Sequence, residues 1–249
     1  MTDAVRYERV GPVAWVTIDR PEARNALNAA VREGLRTSVE RFNADDAAVL
    51  VLTGSGEVAF CAGADLKEMS ATQLEVPPPD FIPIFGRTLE VAKPTIAAVN
   101  GVAYAGGFLL SQMCDLCVAA EHARFAITEA KVGRGAPWAA PLPWLVPPRV
   151  AMELLVTAEP ITAARAFDVG LVNRVVPMSG LHDATQELAE GIAANAPLSV
   201  AAGKRTVYLS LAAPYEAAEA LWEPVYRSAD AQEGPRAFAE KRPPRWQGR

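Results

Sequence analysis

The sequence of 249 residues is short of the side chains that hold metals and disulfides, with two histidines and three cysteines. A histidine-built metal centre is therefore not expected, and three thiols cannot form the framework that staples a small secreted domain. Lysine is scarce too, at five of 24 cationic residues, and the net charge is −5 with a pI near 5.2. A surface of that sign does not coat a phosphate backbone, so nucleic acid is excluded as a partner. The opening segment MTDAVRYERVG lacks an apolar run, so no secretory signal is expected. Charge is absent from Pro94 through Cys114. That span approaches the roughly 20 residues of a membrane helix. Pro94, Asn100, Gly101, Gly106, Gly107 and Gln112 interrupt it, and no membrane partner is expected. It reads instead as a buried strand over Thr95–Val99, a turn, and a buried helix from Gly106.

Hydrophobic residues make up 51% of the chain and mean hydropathy is +0.10, enough for a sizeable core. An enzyme-sized cytoplasmic globule is the expectation. Val13–Ile18 alternates as a strand, Asn28 caps a helix reaching Asn43, and residues 47–52 form a buried strand. Residues 74–83 carry four prolines and no periodicity, which predicts a mobile surface loop. A helix is expected over Phe85–Val91, then strands at Leu116–Ala119 and Arg124–Ile127. Beyond residue 148 the pattern turns helical: Arg149–Val156, Thr162–Asp168, Leu181–Asn195, Pro197–Leu211, Pro214–Ser228 and Pro235–Lys241. The last three open on a proline, which a first helical turn tolerates. Alternating strands and helices followed by helices alone predict an α/β core over residues 1–190 and a helical C-terminal unit over 191–249.

Two motifs fail on inspection. Gly54-Ser55-Gly56-Glu57-Val58-Ala59 fits the dinucleotide pattern, but Val58–Cys61 is extended where that site needs a helix. Cys114-x-x-Cys117 has no second pair, which leaves buried inert thiols. Two glycine-containing turns remain, Cys61-Ala62-Gly63-Ala64-Asp65-Leu66 and Asn100-Gly101 through Ala105-Gly106-Gly107. Each leads from a strand into a helix start, where free N–H groups and the helix dipole favour negative charge. Two such turns converging would make an oxyanion hole.

CAGADLKEM at 61–69, KPTIAAVNGVAYAGG at 93–107 and FAITEAKVG at 125–133 resemble the crotonase family, the enoyl-CoA hydratases and isomerases. ITAARAFDVGLVNRVVP at 161–177 and EGPRAFAEKRPPRW at 233–246 fit the same family. The resemblance implies a spiral of strand–strand–helix units and a helical C-terminal trimerisation region. It implies a homotrimer or a hexamer built as a dimer of trimers. Acyl-CoA thioesters are the implied substrates, with coenzyme A as part of the substrate and no metal or redox cofactor. The thioester oxygen would be held by the N–H groups of Ala64 and Gly106. Arg24, Ala62, Asp65 and Leu66 match positions lining the family's CoA channel, and Lys241 matches a basic position near the nucleotide phosphates.

The acid/base positions depart from the hydratase pattern. Family hydratases place one Glu three residues after the glycine matching Gly106, and another twenty residues later. The second is Glu129, but the first is Leu109. Adding water needs one group to hold and deprotonate it and another to return the proton. A single carboxylate suits 3-enoyl to 2-enoyl-CoA isomerisation, and a hydrocarbon neighbour should raise its pKa by desolvation. Hydration with a non-standard second group, drawn from Glu68, Glu75 or Asp80, and non-catalytic acyl-CoA binding are the alternatives. Some family members use an Asp eight residues beyond that Glu, where this chain has Pro137. Together with Trp138 and the prolines of 133–148, this implies a remodelled acyl pocket.

Overall fold

The structure is a computed structural model that describes residues 4–209 and 223–247. Its spine is a six-stranded sheet of β1 (Val5–Val10), β2 (Val13–Ile18), β3 (Val49–Gly54), β5 (Thr95–Val99), β7 (Leu116–Ala120) and β10 (Arg174–Val176), in that spatial order. Only the β1–β2 hairpin is antiparallel; the other pairs are parallel. A second sheet holds β4 (Ala59–Cys61), β6 (Val102–Tyr104), β8 (Arg124–Ala126) and β9 (Ile161–Thr162). From β3 to β8 the chain lays one strand in the large sheet and the next in the small one. A helix follows twice, α2 (Leu66–Thr72) after β4 and α3 (Gly106–Met113) after β6. The chain is therefore an α/β spiral of strand–strand–helix units.

Alternation along the large sheet separates two cores. Ala14, Val16 and Ile18 of β2 face the space between the sheets, packed with Val31, Leu35, Val39 and Phe42 of α1 (Ala29–Ala44). Val13 and Trp15 face the other side, against Leu181 and Ala189 of α7 (Leu181–Ala193). Residue 190 falls within α7. Asn28 caps α1 by accepting from the Val31 N–H at 3.0 Å. The uncharged stretch becomes β5, β6 and α3, all interior. No helix among the described residues is long and apolar enough to cross a membrane. Helices α4 (Leu142–Leu145), α5 (Pro148–Thr157), α6 (Ala163–Asp168) and α8 (Pro197–Tyr208) follow.

Three expectations change. Phe85–Val91 is a tight turn, because Gly86 adopts φ +75° and the N–H groups of Arg87, Thr88 and Leu89 all converge on the Ile84 carbonyl. The segment 74–83 is irregular as expected, yet it folds inward, with Val76, Phe81 and Ile82 in the wall of the main cavity. The last helix, α9 (Ala229–Ala239), starts six residues before Pro235, capped by the Ser228 hydroxyl, and carries that proline in its interior. Proline there cannot donate to the Ala231 carbonyl. Arg134 supplies a replacement donor at 3.4 Å, which explains how the helix tolerates it. The helix expected over Pro214–Ser228 lies mostly outside the described residues.

Candidate active site

Strands β4, β6 and β8 are parallel neighbours, so their carboxyl ends deliver three segments to one place. Such ends are where open α/β sheets build sites. From β4 comes the turn Ala62–Asp65, from β6 the turn into α3, and from β8 the 3-10 segment Glu129–Val132. The contact between the first two is intimate. Gly63 has φ +100°, and a Cβ there would lie 2.7 Å from that of Ala105 and 3.4 Å from the Gly106 nitrogen.

Among the described residues, no acceptor engages the N–H groups of Ala64 and Gly106. The Leu27 N–H donates to the Gly63 carbonyl and the Asp65 N–H donates to the Leu27 carbonyl. This parallel bridge brackets Ala64 and turns its own N–H away from Leu27. Gly106 is the first residue of α3 and has no acceptor within the helix. Ala105, just before it, is held at φ 51°, ψ −119°, a conformation that L residues rarely adopt. Strain of this kind collects at functional turns.

Both turns border a cavity of about 520 Å³. Ala62, Ala64, Leu66, Gly106 and Leu109 line one part, and Glu129, Pro137 and Trp138 line another. Leu109 is 1% exposed and presents hydrocarbon where a second carboxylate would be needed. Glu129 is 8% exposed, and its Oε2 has no hydrogen-bond partner among the described residues. Burial pushes its pKa up to about 8, against weaker opposing contributions from its own N–H and from hydrogen bonding with Trp138. The Trp138 ring is fixed from behind, its carbonyl accepting from Gln112 at 3.0 Å and its ring 5.9 Å from that of Phe108.

The remaining expected residues lie outside this wall. Asp65 caps α2 and pairs with Arg20 at 3.2 Å, so it fixes the turn rather than lining the cavity. Arg24 is exposed, and its carbonyl accepts from the Ala62 N–H at 3.0 Å. Lys241 is exposed beyond the end of α9. Among the alternative acids, Glu68 is engaged by Arg32 at 2.7 Å, and neither Glu75 nor Asp80 borders the cavity. Among the ionisable wall residues, Arg87, Arg134, Glu223 and Tyr226 were not singled out from the sequence. A cation five positions after Glu129, in the Gly133-Arg134-Gly135 turn, is the one local signal that marks any of them. All three cysteines are free and buried, and no potential metal cluster occurs among the described residues.

The model of the family described as Enoyl-CoA hydratase/isomerase matches residues 8–249. The chain belongs to this family. A carnitinyl-CoA dehydratase of Salmonella paratyphi A is 39% identical over 264 aligned positions, covering all of both chains. The solved structure of a carnitinyl-CoA hydratase from Mycobacterium avium superposes with a TM-score of 0.88 at 40% identity, again over both full lengths. That of EchA1_1 from Mycobacterium paratuberculosis gives 0.89 at 40% identity, with the same full coverage. The spiral architecture and the resemblance of the strand-end motifs thus agree with the family assignment.

Proposed function

We propose that the protein isomerises 3-enoyl-CoA thioesters to 2-enoyl-CoA thioesters, with Glu129 as the only proton carrier. The ionised Glu129 removes a proton from C2. The electron pair moves onto the thioester oxygen, where the Ala64 and Gly106 N–H groups stabilise it. Collapse of this dienolate shifts the double bond, and the Glu129 carboxylic acid returns the proton at C4. Atoms and electrons balance without water, metal or redox partner, and coenzyme A enters as part of the substrate. One observation supports the proposal: the buried carboxyl of Glu129 shares a cavity wall with Ala64 and Gly106, whose N–H groups have no acceptor among the described residues, and Leu109 stands where a second buried acid would be expected.

The test is to add a 3-enoyl-CoA and follow the rise of conjugated-thioester absorbance across pH. Glu129 must start ionised, so kcat/KM should climb with pH, reach half its plateau near pH 8 and stay flat above. A profile that falls across this range contradicts the assigned role. A second reading is hydration of 2-enoyl-CoA, favoured by Glu223 in the same cavity wall and by the hydratase and dehydratase names of the relatives. Loss of conjugated absorbance from 2-enoyl-CoA, abolished by Glu223→Gln, would establish it.

The proposed protein is a cytoplasmic homotrimer or hexamer. Support comes from the large apolar side chains left exposed on α4 to α6, namely Trp144, Met152, Val156 and Phe167. Light scattering should return three or six times the 26.5 kDa chain mass, and a monomer would contradict this assembly.

A further inference from the structure

Arg134 is 5% exposed and stands in the wall of the acyl cavity, yet no carboxylate pairs with it among the described residues. Its guanidinium has five N–H donors. Three carbonyls accept from it: Leu74 at 3.0 Å, Glu75 at 2.8 Å and Ala231 at 3.4 Å. Two donors are left over. The carbonyls satisfy geometry but do not neutralise charge, and a buried cation without an anion is costly. The other ionisable wall residues do not remedy this. Burial favours the neutral form of Glu129, and Glu223 is half-exposed and paired with Arg227 at 2.9 Å.

The same arrangement weighs against a cationic ligand. An aromatic face such as that of Tyr226 could hold a quaternary ammonium group. Here the Arg134 guanidinium already sits over that ring, 5.0 Å from its centroid, while the Tyr226 hydroxyl donates to the Gly135 carbonyl at 2.9 Å. A carnitinyl chain ends in a trimethylammonium, so the group named for the relatives would meet uncompensated positive charge in this chain.

We infer that Arg134 is the specificity-determining group of the acyl pocket, selecting acyl chains that end in a second carboxylate and rejecting chains that end in a quaternary ammonium. This rests on the acyl-CoA reading of the cavity. A distal carboxylate supplies the missing anion and the lone pairs for the two remaining N–H groups, in the paired geometry that guanidinium favours. The cost imposed on a cationic tail makes the preference two-sided.

Calorimetry on the full chain tests this with saturated, unreactive esters. CoA monoesters of dicarboxylic acids of four to eight carbons are compared with monocarboxylic esters of equal length and with 4-(trimethylammonio)butanoyl-CoA. The expected result is at least tenfold tighter binding of the dicarboxylic ester at one or more lengths, and at least tenfold weaker binding of the ammonium ester than of its neutral counterpart. Equal affinity of the paired esters at every length overturns the inference on the wild type alone. Arg134→Gln should abolish the preference, and Arg134→Lys, which keeps the charge but not the fork, should retain part of it. A preference that survives in Arg134→Gln assigns the selectivity elsewhere and also overturns the inference. Each ratio is internal to one sample, so partial misfolding does not imitate it. Because no turnover is measured, failure of the isomerase reading shows separately, as absence of 3-enoyl-CoA conversion.

Discussion

Replacing Glu129 with glutamine should lower kcat for 3-enoyl-CoA isomerisation by at least about a thousandfold, with KM changed only a few-fold. A positioned acid or base ordinarily contributes about 10²–10⁴. Here one carboxyl performs both transfers, Leu109 fills the position of the family's other acid, and Glu223 in the cavity wall is half-exposed and paired with Arg227. Glutamine keeps the shape and the wall of the cavity, so acyl-CoA binding should persist. Equal turnover by the variant and the wild type, measured by conjugated absorbance, would end the shuttle mechanism.

The same substitution should stabilise the fold, which separates lost chemistry from lost structure. Burial raises the Glu129 pKa from 4.5 to about 8 in the folded chain. Between those values the folded state binds more protons than the unfolded one, so stability falls as pH rises. Below pH 4.5 the carboxyl is neutral in both states and the difference vanishes. Above pH 8 the full penalty applies, on the order of 5 kcal/mol for a shift of this size. Glutamine never ionises, so Glu129→Gln should melt higher than wild type at pH 9 and near it at pH 5. A variant inactive yet more stable at alkaline pH is the signature of a carboxyl kept for function at a cost in stability.

How much of this was legible in the sequence follows from what each feature depends on. Local chemistry was readable: the Asn28 cap, the alternation of Val13–Ile18 and the two glycine turns all announce themselves within a few residues. The convergence of those turns on Glu129 was accessible only through the family resemblance, because it arises from β4, β6 and β8 lying side by side, a long-range pairing. Pro235 misled because its consequence is settled 101 positions away, where Arg134 takes the carbonyl a proline leaves unserved. Phe85–Val91 looked helical by composition, but Gly86 at positive φ closes a turn instead. Arg134 escaped notice for a related reason. As a letter it is an ordinary surface cation, and only the fold shows it buried with no counter-charge among the described residues.

The geometry of the proposed oxyanion hole should be most sensitive at Gly107, which lies outside the cavity wall. A Cβ added at Gly107 would lie 1.9 Å from the Cys61 carbonyl oxygen and 2.7 Å from its carbon. Both are backbone atoms at the end of β4, with no flexible side chain to swing aside. Gly107→Ala must therefore push α3 away from β4, and with it Gly106 away from Ala64. Displacement of about 1 Å at a reacting centre can cost 10²-fold, and loss of one hole donor costs a similar 10²–10³. We expect kcat/KM to fall at least about a hundredfold, with a melting point several degrees lower from the forced overpacking. Gly191→Ala in α7, where no atom lies within 4 Å of the new methyl, provides the control. It should leave kcat/KM unchanged and add up to about 1 kcal/mol of stability. Full kcat/KM in Gly107→Ala would mean that the spacing of these two turns does not hold the thioester oxygen. The negative charge of the intermediate would then have to rest on donors other than Ala64 and Gly106.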